Sequence, residues 1–145
     1  MARSERSLAS AEAAYGPLDE LPEQEQASPH PLPERDCPFC DRIRKGEFDY
    51  SDDEIVAFSP LSPVTPGHFL VVPRLHVSHA LASPGLAGRT LKFAGYLANQ
   101  MDLDAVNFIT SAGRDATQTV FHLNVHIIPR RPGDGLALPW TGQGK

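Results

Sequence analysis

The segment from Gln118 to Arg131 alternates nitrogen-bearing and apolar side chains over most of its length. Such alternation predicts a β-strand, which we place at residues 119–129. Because successive side chains on a strand point to opposite faces, one face would carry a polar row and the other would join the core. A polar row backed by a core is typical of a binding or reactive site, although a solvent-facing strand surface is the alternative. The predicted row is His122, Asn124 and His126, and the predicted core face is Phe121, Leu123, Val125 and Ile127.

The rest of the chain from Cys37 onward predicts an α+β domain. Ser83 followed by Pro84 is a typical helix start, and apolar residues recur at helical spacing from there to Met101, which predicts a helix over 84–101. Strands surround this helix instead of alternating with helices, which favours a largely antiparallel sheet. The predicted strands are 54–58, 68–73, 104–110 and 119–129, with a further short strand at 48–50.

Residues 1–36 differ in composition from the remainder. They are rich in Glu, Pro, Ser and Ala, and they carry three basic and eight acidic side chains, whereas residues 37–145 carry ten of each. We predict a disordered acidic leader at 1–36 and one domain at 37–145, with a short helix over 8–15 as an alternative within the leader. No signal peptide, membrane span or basic surface is visible. We therefore expect a cytoplasmic protein with neither a nucleic-acid nor a membrane partner.

Cys37 and Cys40 are the only cysteines in the chain. In a cytosolic protein such a close pair favours a metal site or a redox function over a structural disulfide. Two ordinary thiols in a turn remain the plainer alternative. A zinc site needs four ligands, and His76, His79 and His122 are the histidines available beside the cysteines.

These motifs together resemble the histidine-triad (HIT) family. Residues 118–130 are similar to its signature, in which three histidines alternate with apolar residues after Gln-Ser/Thr-Val and before Pro-Arg. Residues 55–76 are similar to the family's strand, loop and strand, which end in Gly-His-x-Leu-Val-x-Pro-x-x-His. The resemblance extends over roughly residues 37–140 and implies a five-stranded, largely antiparallel sheet with one long helix and a shorter one.

The resemblance also implies a function. In the family, the middle histidine attacks the α-phosphate of a nucleoside phosphoramidate or dinucleoside polyphosphate, and water hydrolyses the resulting nucleotidyl-histidine. It implies a homodimer, a purine nucleotide or nucleotide conjugate as ligand, and catalytic roles for His122, Asn124 and His126. Some bacterial members have a structural zinc ion, whose ligands here would be Cys37, Cys40, His76 and His122. The expected nucleotide-binding residues are Phe39, Leu61, Ser111, Gln118, Thr119, Asn124 and His126.

Two residues depart from the family pattern. Asn124 occupies the position of the nucleophilic histidine, and its amide nitrogen has no lone pair with which to attack phosphorus. Pro60 stands where many members have an aspartate that binds the ribose. We therefore expect nucleotide binding with lost or strongly impaired hydrolase activity. The alternatives are an active hydrolase that carries an engineered His-to-Asn change, and a non-catalytic interaction scaffold.

Overall fold

The computed structural model describes residues 36–141. The predicted leader therefore lies outside the described residues except for Asp36, as does the alternative helix at 8–15. The described part contains two α-helices, five strands and one short 3₁₀ helix. In chain order these are α1 (Pro38–Lys45), β1 (Tyr50–Ser51), β2 (Ile55–Phe58), β3 (Phe69–Pro73), α2 (Pro84–Gln100), β4 (Val106–Ile109), the 3₁₀ helix (Arg114–Ala116) and β5 (Val125–Pro129).

The five strands form one antiparallel sheet in the order β1-β2-β3-β5-β4. This confirms the α+β fold class and the antiparallel sheet with a long and a shorter helix. In the centre of the sheet, Leu70 on β3 pairs with His126 on β5, and Ile109 on the edge strand β4 pairs with the other side of His126. His126 is thus fixed by strands on both sides.

The helices cover opposite faces of the sheet. Alternate residues of β2 divide between two clusters, with Ile55 and Ala57 packing in the cluster that contains α2. Val56 and Phe58 face the other way, where Phe39 and Ile43 of α1 pack against them. All four residues of β2 are buried because alternate side chains pack in the two hydrophobic clusters on opposite faces of the sheet.

The predicted start of α2 is confirmed. The Ser83 hydroxyl accepts a hydrogen bond from the amide of Leu86 at 3.3 Å, and Pro84 occupies the first turn, where its missing amide hydrogen costs nothing. A second local feature precedes β3, where Gly67 has a φ of 84° and allows the chain to turn into the strand. Within residues 36–141, no helix is long and apolar enough to cross a membrane.

One strand prediction was wrong in extent. The expected strand at 119–129 is β5, which begins only at Val125, so His122 and Asn124 precede it. The amide of Leu123 pairs with the carbonyl of Val77 at 2.7 Å, outside the sheet. The Pro73 carbonyl at the end of β3 accepts a hydrogen bond from the His122 ring instead of from a strand neighbour. The polar row therefore does not lie on one face of a single strand.

Candidate functional site: a buried metal cluster beside an open pocket

Four predicted metal ligands meet on the α1 side of the sheet. Cys37 and Cys40 flank the first turn of α1, His76 follows β3, and His122 precedes β5. Their ligand atoms all lie within 4.8 Å of one another. The His122 Nδ1 atom lies 3.3 Å from Cys37 Sγ, 3.4 Å from Cys40 Sγ and 3.2 Å from His76 Nδ1. His79, the other histidine considered from spacing, is not part of the cluster.

This geometry fits a zinc ion. A tetrahedral ion with zinc–sulfur bonds of about 2.3 Å and zinc–nitrogen bonds of about 2.0 Å places its ligand atoms roughly 3.3 to 3.8 Å apart. The cysteine and histidine atoms here lie 3.2 to 3.4 Å apart in the pairs that touch. Two sulfur and two nitrogen ligands are also a donor set that zinc prefers.

His122 is held in the orientation that a metal ligand requires. Its Nε2 lies 2.7 Å from the Pro73 carbonyl, and because a carbonyl can only accept, Nε2 carries the proton. The lone pair of Nδ1 then faces the thiols. Burial lowers the pKa of His122 to about 4, despite the opposing effect of the Pro73 hydrogen bond. The ring is thus neutral at physiological pH, as metal binding needs.

A pocket of about 670 Å³ lies beside the cluster, and it contains all the residues expected to bind nucleotide. Asn124 and His126 line it, together with Ser111, Gln118 and Thr119 from the segment between β4 and β5. Phe39 comes from α1, and Leu61 comes from the proline-containing loop after β2, where it is 96% exposed. A pocket of this size is suitable for a small-molecule ligand.

Asn124 faces this pocket with a defined orientation. Its Nδ2 donates a hydrogen bond to the backbone carbonyl of His122 at 2.9 Å. Because the amide nitrogen is turned to that carbonyl, the orientation of the side-chain oxygen is also set. The backbone carbonyl of Asn124 accepts a hydrogen bond from the Thr110 hydroxyl at 2.7 Å. Asn124 is therefore a fixed polar group without a nucleophilic nitrogen.

His126 is oriented by His68, which follows Gly67 at the turn into β3. The backbone amide of Val64 donates to His68 Nδ1 at 3.1 Å, so the proton of neutral His68 resides on Nε2. That Nε2 lies 2.9 Å from His126 Nδ1 and donates to it. Burial is the main cause that lowers the pKa of both rings, that of His68 to about 4. Neutral His126 therefore retains a proton on Nε2, which can donate to a ligand.

Two pocket residues have side chains already occupied by the protein. Gln118 donates from Nε2 to the carbonyls of Ser78 and Val120, and its Oε1 accepts from the amide of Gly113. It therefore stabilises the loop before β5, and its predicted phosphate contact remains a prediction. Arg130 donates to both carboxylate oxygens of Asp134, as well as to Asn107 and to the Leu136 carbonyl.

The HIT domain matches residues 44–133 of this chain. This chain belongs to the HIT family. A HIT-like protein of Saccharolobus solfataricus is 36% identical over 101 residues, covering 64% of this chain and 73% of that protein. The adenylylsulfatase HINT3 of Arabidopsis thaliana is 30% identical over 112 residues, which cover 71% of this chain but 56% of that protein.

Solved structures agree with this assignment. A zinc-bound histidine-triad family protein from Mycobacterium smegmatis is 30% identical, with a TM-score of 0.61, over 72% of this chain and 82% of that chain. A histidine-triad nucleotide-binding protein from Sulfolobus tokodaii is 31% identical, with a TM-score of 0.60, over 67% of this chain and 70% of that chain. The zinc-bound relative and the Cys2His2 cluster together suggest zinc as the metal.

Proposed function

We propose that this protein binds a purine nucleotide or nucleotide conjugate in the pocket above β5 and that its nucleotidyl-transfer chemistry is disabled at Asn124. The observation that supports this proposal most directly is the position of Asn124. It lines the same pocket as Ser111, Thr119 and His126, at the sequence position where a family member has its nucleophile. A neutral amide cannot form the nucleotidyl intermediate on which the family's double displacement depends.

The pocket retains groups for binding. The Ser111 and Thr119 hydroxyls can donate to phosphate oxygens, and so can the Nε2 proton of His126. Phe39, Leu61 and Leu138 supply apolar surface for a base. Pro60 is also part of the wall and offers no carboxylate for the ribose hydroxyls. We therefore expect measurable binding of AMP or GMP in the absence of turnover.

Three experiments test this proposal. AMP or GMP should raise the melting temperature, because a ligand that binds only the native state stabilises it. Hydrolysis of adenosine phosphoramidate should remain at background, and turnover similar to that of an active family member would contradict the loss of activity. In the Asn124→His variant, strong activity and a nucleotidyl adduct in the mass spectrum would show that one residue alone disables the site. If activity does not return, Pro60 becomes the residue to restore next.

The metal site is, on this proposal, structural. Cys37, Cys40, His76 and His122 supply four protein ligands, which leaves no open coordination position for substrate. We infer that zinc holds α1 to the loops before α2 and β5. Metal analysis of the purified protein should find about one zinc per chain. A content well below half an equivalent would argue against the site.

We also infer that the domain spans residues 37–145 and forms a homodimer. Leu91 and Tyr96 on α2 are 46% and 63% exposed, and Phe108 on the edge strand β4 is 38% exposed. Such apolar side chains on a helix and an edge strand are suited to contact with a second copy. Light scattering of the full chain, and of Tyr96→Glu, tests this. A monomer at micromolar concentration would contradict it. A cytoplasmic location remains a prediction.

A further inference from the structure

The metal cluster and the pocket share a wall. Phe39 lies between the two cluster cysteines in the first turn of α1, so the cysteines fix its position. The same ring lines the pocket. It also contacts the edge of the His122 ring, with centroids 5.9 Å apart, and that of Phe58 at 5.5 Å. A change in how α1 is held would therefore move a part of the pocket surface.

His122 provides a second connection. Its ring is in the cluster and is fully buried, whereas its backbone carbonyl accepts the hydrogen bond from Asn124 that orients the pocket amide. The distance from Asn124 Nδ2 to that carbonyl is 2.9 Å, so a rotation of the His122 backbone would reorient Asn124. One residue thus carries a metal-binding group on its side chain and a positioning group on its backbone.

Apart from the cysteines, α1 is attached through partly buried and exposed contacts, among them Arg42, which lies 4.0 Å from the Phe58 ring centroid and donates to the Ser59 carbonyl at 3.4 Å. The cysteines are at its first turn, and its last turn ends at Gly46, which lies in the left-handed region with a φ of 71°. Between these ends, Phe39 and Ile43 are only partly buried against the sheet. Without a metal, two thiols and two imidazoles in contact provide weaker attachment than four coordinate bonds.

We infer that metal occupancy of the cluster sets the nucleotide affinity of the pocket, through Phe39 and the His122 carbonyl. This inference rests on the proposed function. The metal fixes α1 and the His122 backbone, and these in turn fix the aromatic wall and the Asn124 amide before the ligand arrives. Coupling of two binding sites is reciprocal, so AMP must raise the metal affinity by the same factor by which the metal raises the AMP affinity.

Calorimetric titration with AMP tests this on the full chain, first loaded with zinc and then stripped by a chelator. We expect AMP to bind the loaded form at least about fivefold more tightly, a typical size for coupling between two sites. Equal affinities of the two forms would overturn this inference alone. Absence of AMP binding to the loaded form would overturn the proposed function, and this inference with it.

A cobalt-substituted protein gives a readout that does not depend on folding of the metal-free chain. Cobalt in a site of two sulfur and two nitrogen ligands has visible absorption bands that report ligand geometry. We expect saturating AMP to shift these bands, and an unchanged spectrum would count against the coupling. If circular dichroism shows that the stripped chain is unfolded, the cobalt spectrum decides the question.

A pair of variants separates coupling from simple loss of pocket surface. Phe39→Ala removes the ring next to the cluster, and Leu61→Ala removes an apolar side chain of the same pocket that is not in the cluster. Both should weaken AMP binding. Phe39→Ala should also reduce the AMP-dependent shift of the cobalt bands, whereas Leu61→Ala should preserve it. The same shift in both variants would rule out Phe39 as the connection.

Discussion

Two walls of the same pocket are held in place by different means. On one side, the metal cluster joins residues that are far apart in the chain, since Cys37 and His122 are 85 positions apart. On the other side, Arg130 binds Asp134 four residues later, and through it holds the segment that contains Leu136. The cluster is largely buried, whereas the Arg130 and Asp134 side chains are 22% and 10% exposed.

The cluster and the ion pair should therefore contribute differently to the stability of the domain. A buried cross-link between distant segments contributes to the stability of the whole domain, because it is lost only when those segments separate. A local ion pair between residues four positions apart shapes the segment it closes and adds less to global stability, since it can break without the separation of distant segments. We therefore expect damage to the cluster to affect folding first, and damage around Arg130 to affect the pocket first.

The largest effect is expected from the cluster. His76→Asn removes one ligand and leaves the others without a complete tetrahedral set, so it should lower the free energy of unfolding by about 3 kcal/mol or more. His79→Asn is the matched control, because His79 lies in the same segment but outside the cluster. Guanidinium unfolding in the presence of zinc measures both. Comparable losses in the two variants would show that the segment, and not the metal, is responsible.

A smaller and more local effect is expected at Arg130. Lysine retains the charge but cannot donate at once to Asp134, Asn107 and the Leu136 carbonyl. Arg130→Lys should therefore weaken AMP binding by roughly tenfold, through loss of the ordered wall, while the melting temperature changes little. Arg131→Lys is the control, because its side chain contacts Thr65 and Pro66 instead. Equal losses in both variants would exclude a specific role of Arg130.

The Arg130–Asp134 ion pair also predicts how the stability of the protein depends on pH. The hydrogen bond from Arg130, with further bonds from the amides of Arg131 and Leu136, holds the pKa of Asp134 well below its usual range. Because the pKa is lower in the folded than in the unfolded state, the stabilisation is complete above about pH 4 and is lost as the pH falls further. The stability difference between the wild type and Asp134→Asn should stay constant from pH 7 to 5 and shrink below pH 4. A decrease of that stability difference between pH 7 and 5 would show that a group other than Asp134 causes the pH dependence.

The smallest effect is expected from an exposed ion pair that joins α2 to the residue before β2. Arg89 Nε lies 2.8 Å from Glu54 Oε1, and both side chains are more than 40% exposed. Glu54→Gln should change the free energy of unfolding by less than about 0.5 kcal/mol, and urea unfolding measures this. A loss as large as that of His76→Asn would contradict the contrast between buried and exposed links.

Much of the fold followed from local patterns. Ser83 and Pro84 placed the start of α2 correctly, since a cap depends on neighbouring residues alone. Alternation located β5 but overestimated its length, because it cannot reveal where pairing with a neighbouring strand ends. The predicted strand included Thr119 to Asn124, yet pairing with β3 ends at Val71 and Val125, and the Pro73 carbonyl accepts from the His122 ring instead.

The sequence predicted which residues form the candidate site better than it predicted how they are arranged. The cysteine spacing predicted a metal ligand pair, and spacing alone left His76, His79 and His122 open as partners. The tertiary structure brings His76 and His122 to the cysteines and leaves His79 outside. His68 lies at the turn that enters β3. It also orients His126 through a hydrogen bond that crosses 58 positions in sequence, which no local pattern can show.

The sequence by itself determined the residues that matter: an alternating polar segment with an amide at its centre, a close cysteine pair, and capped helical and strand segments. Those features depend on the identity and spacing of neighbouring residues. Only the tertiary structure decided that His122 faces the cluster and His126 the pocket, although the two are only four positions apart. The physical reason is that β5 begins between them, so strand pairing fixes His126 while the cluster fixes His122.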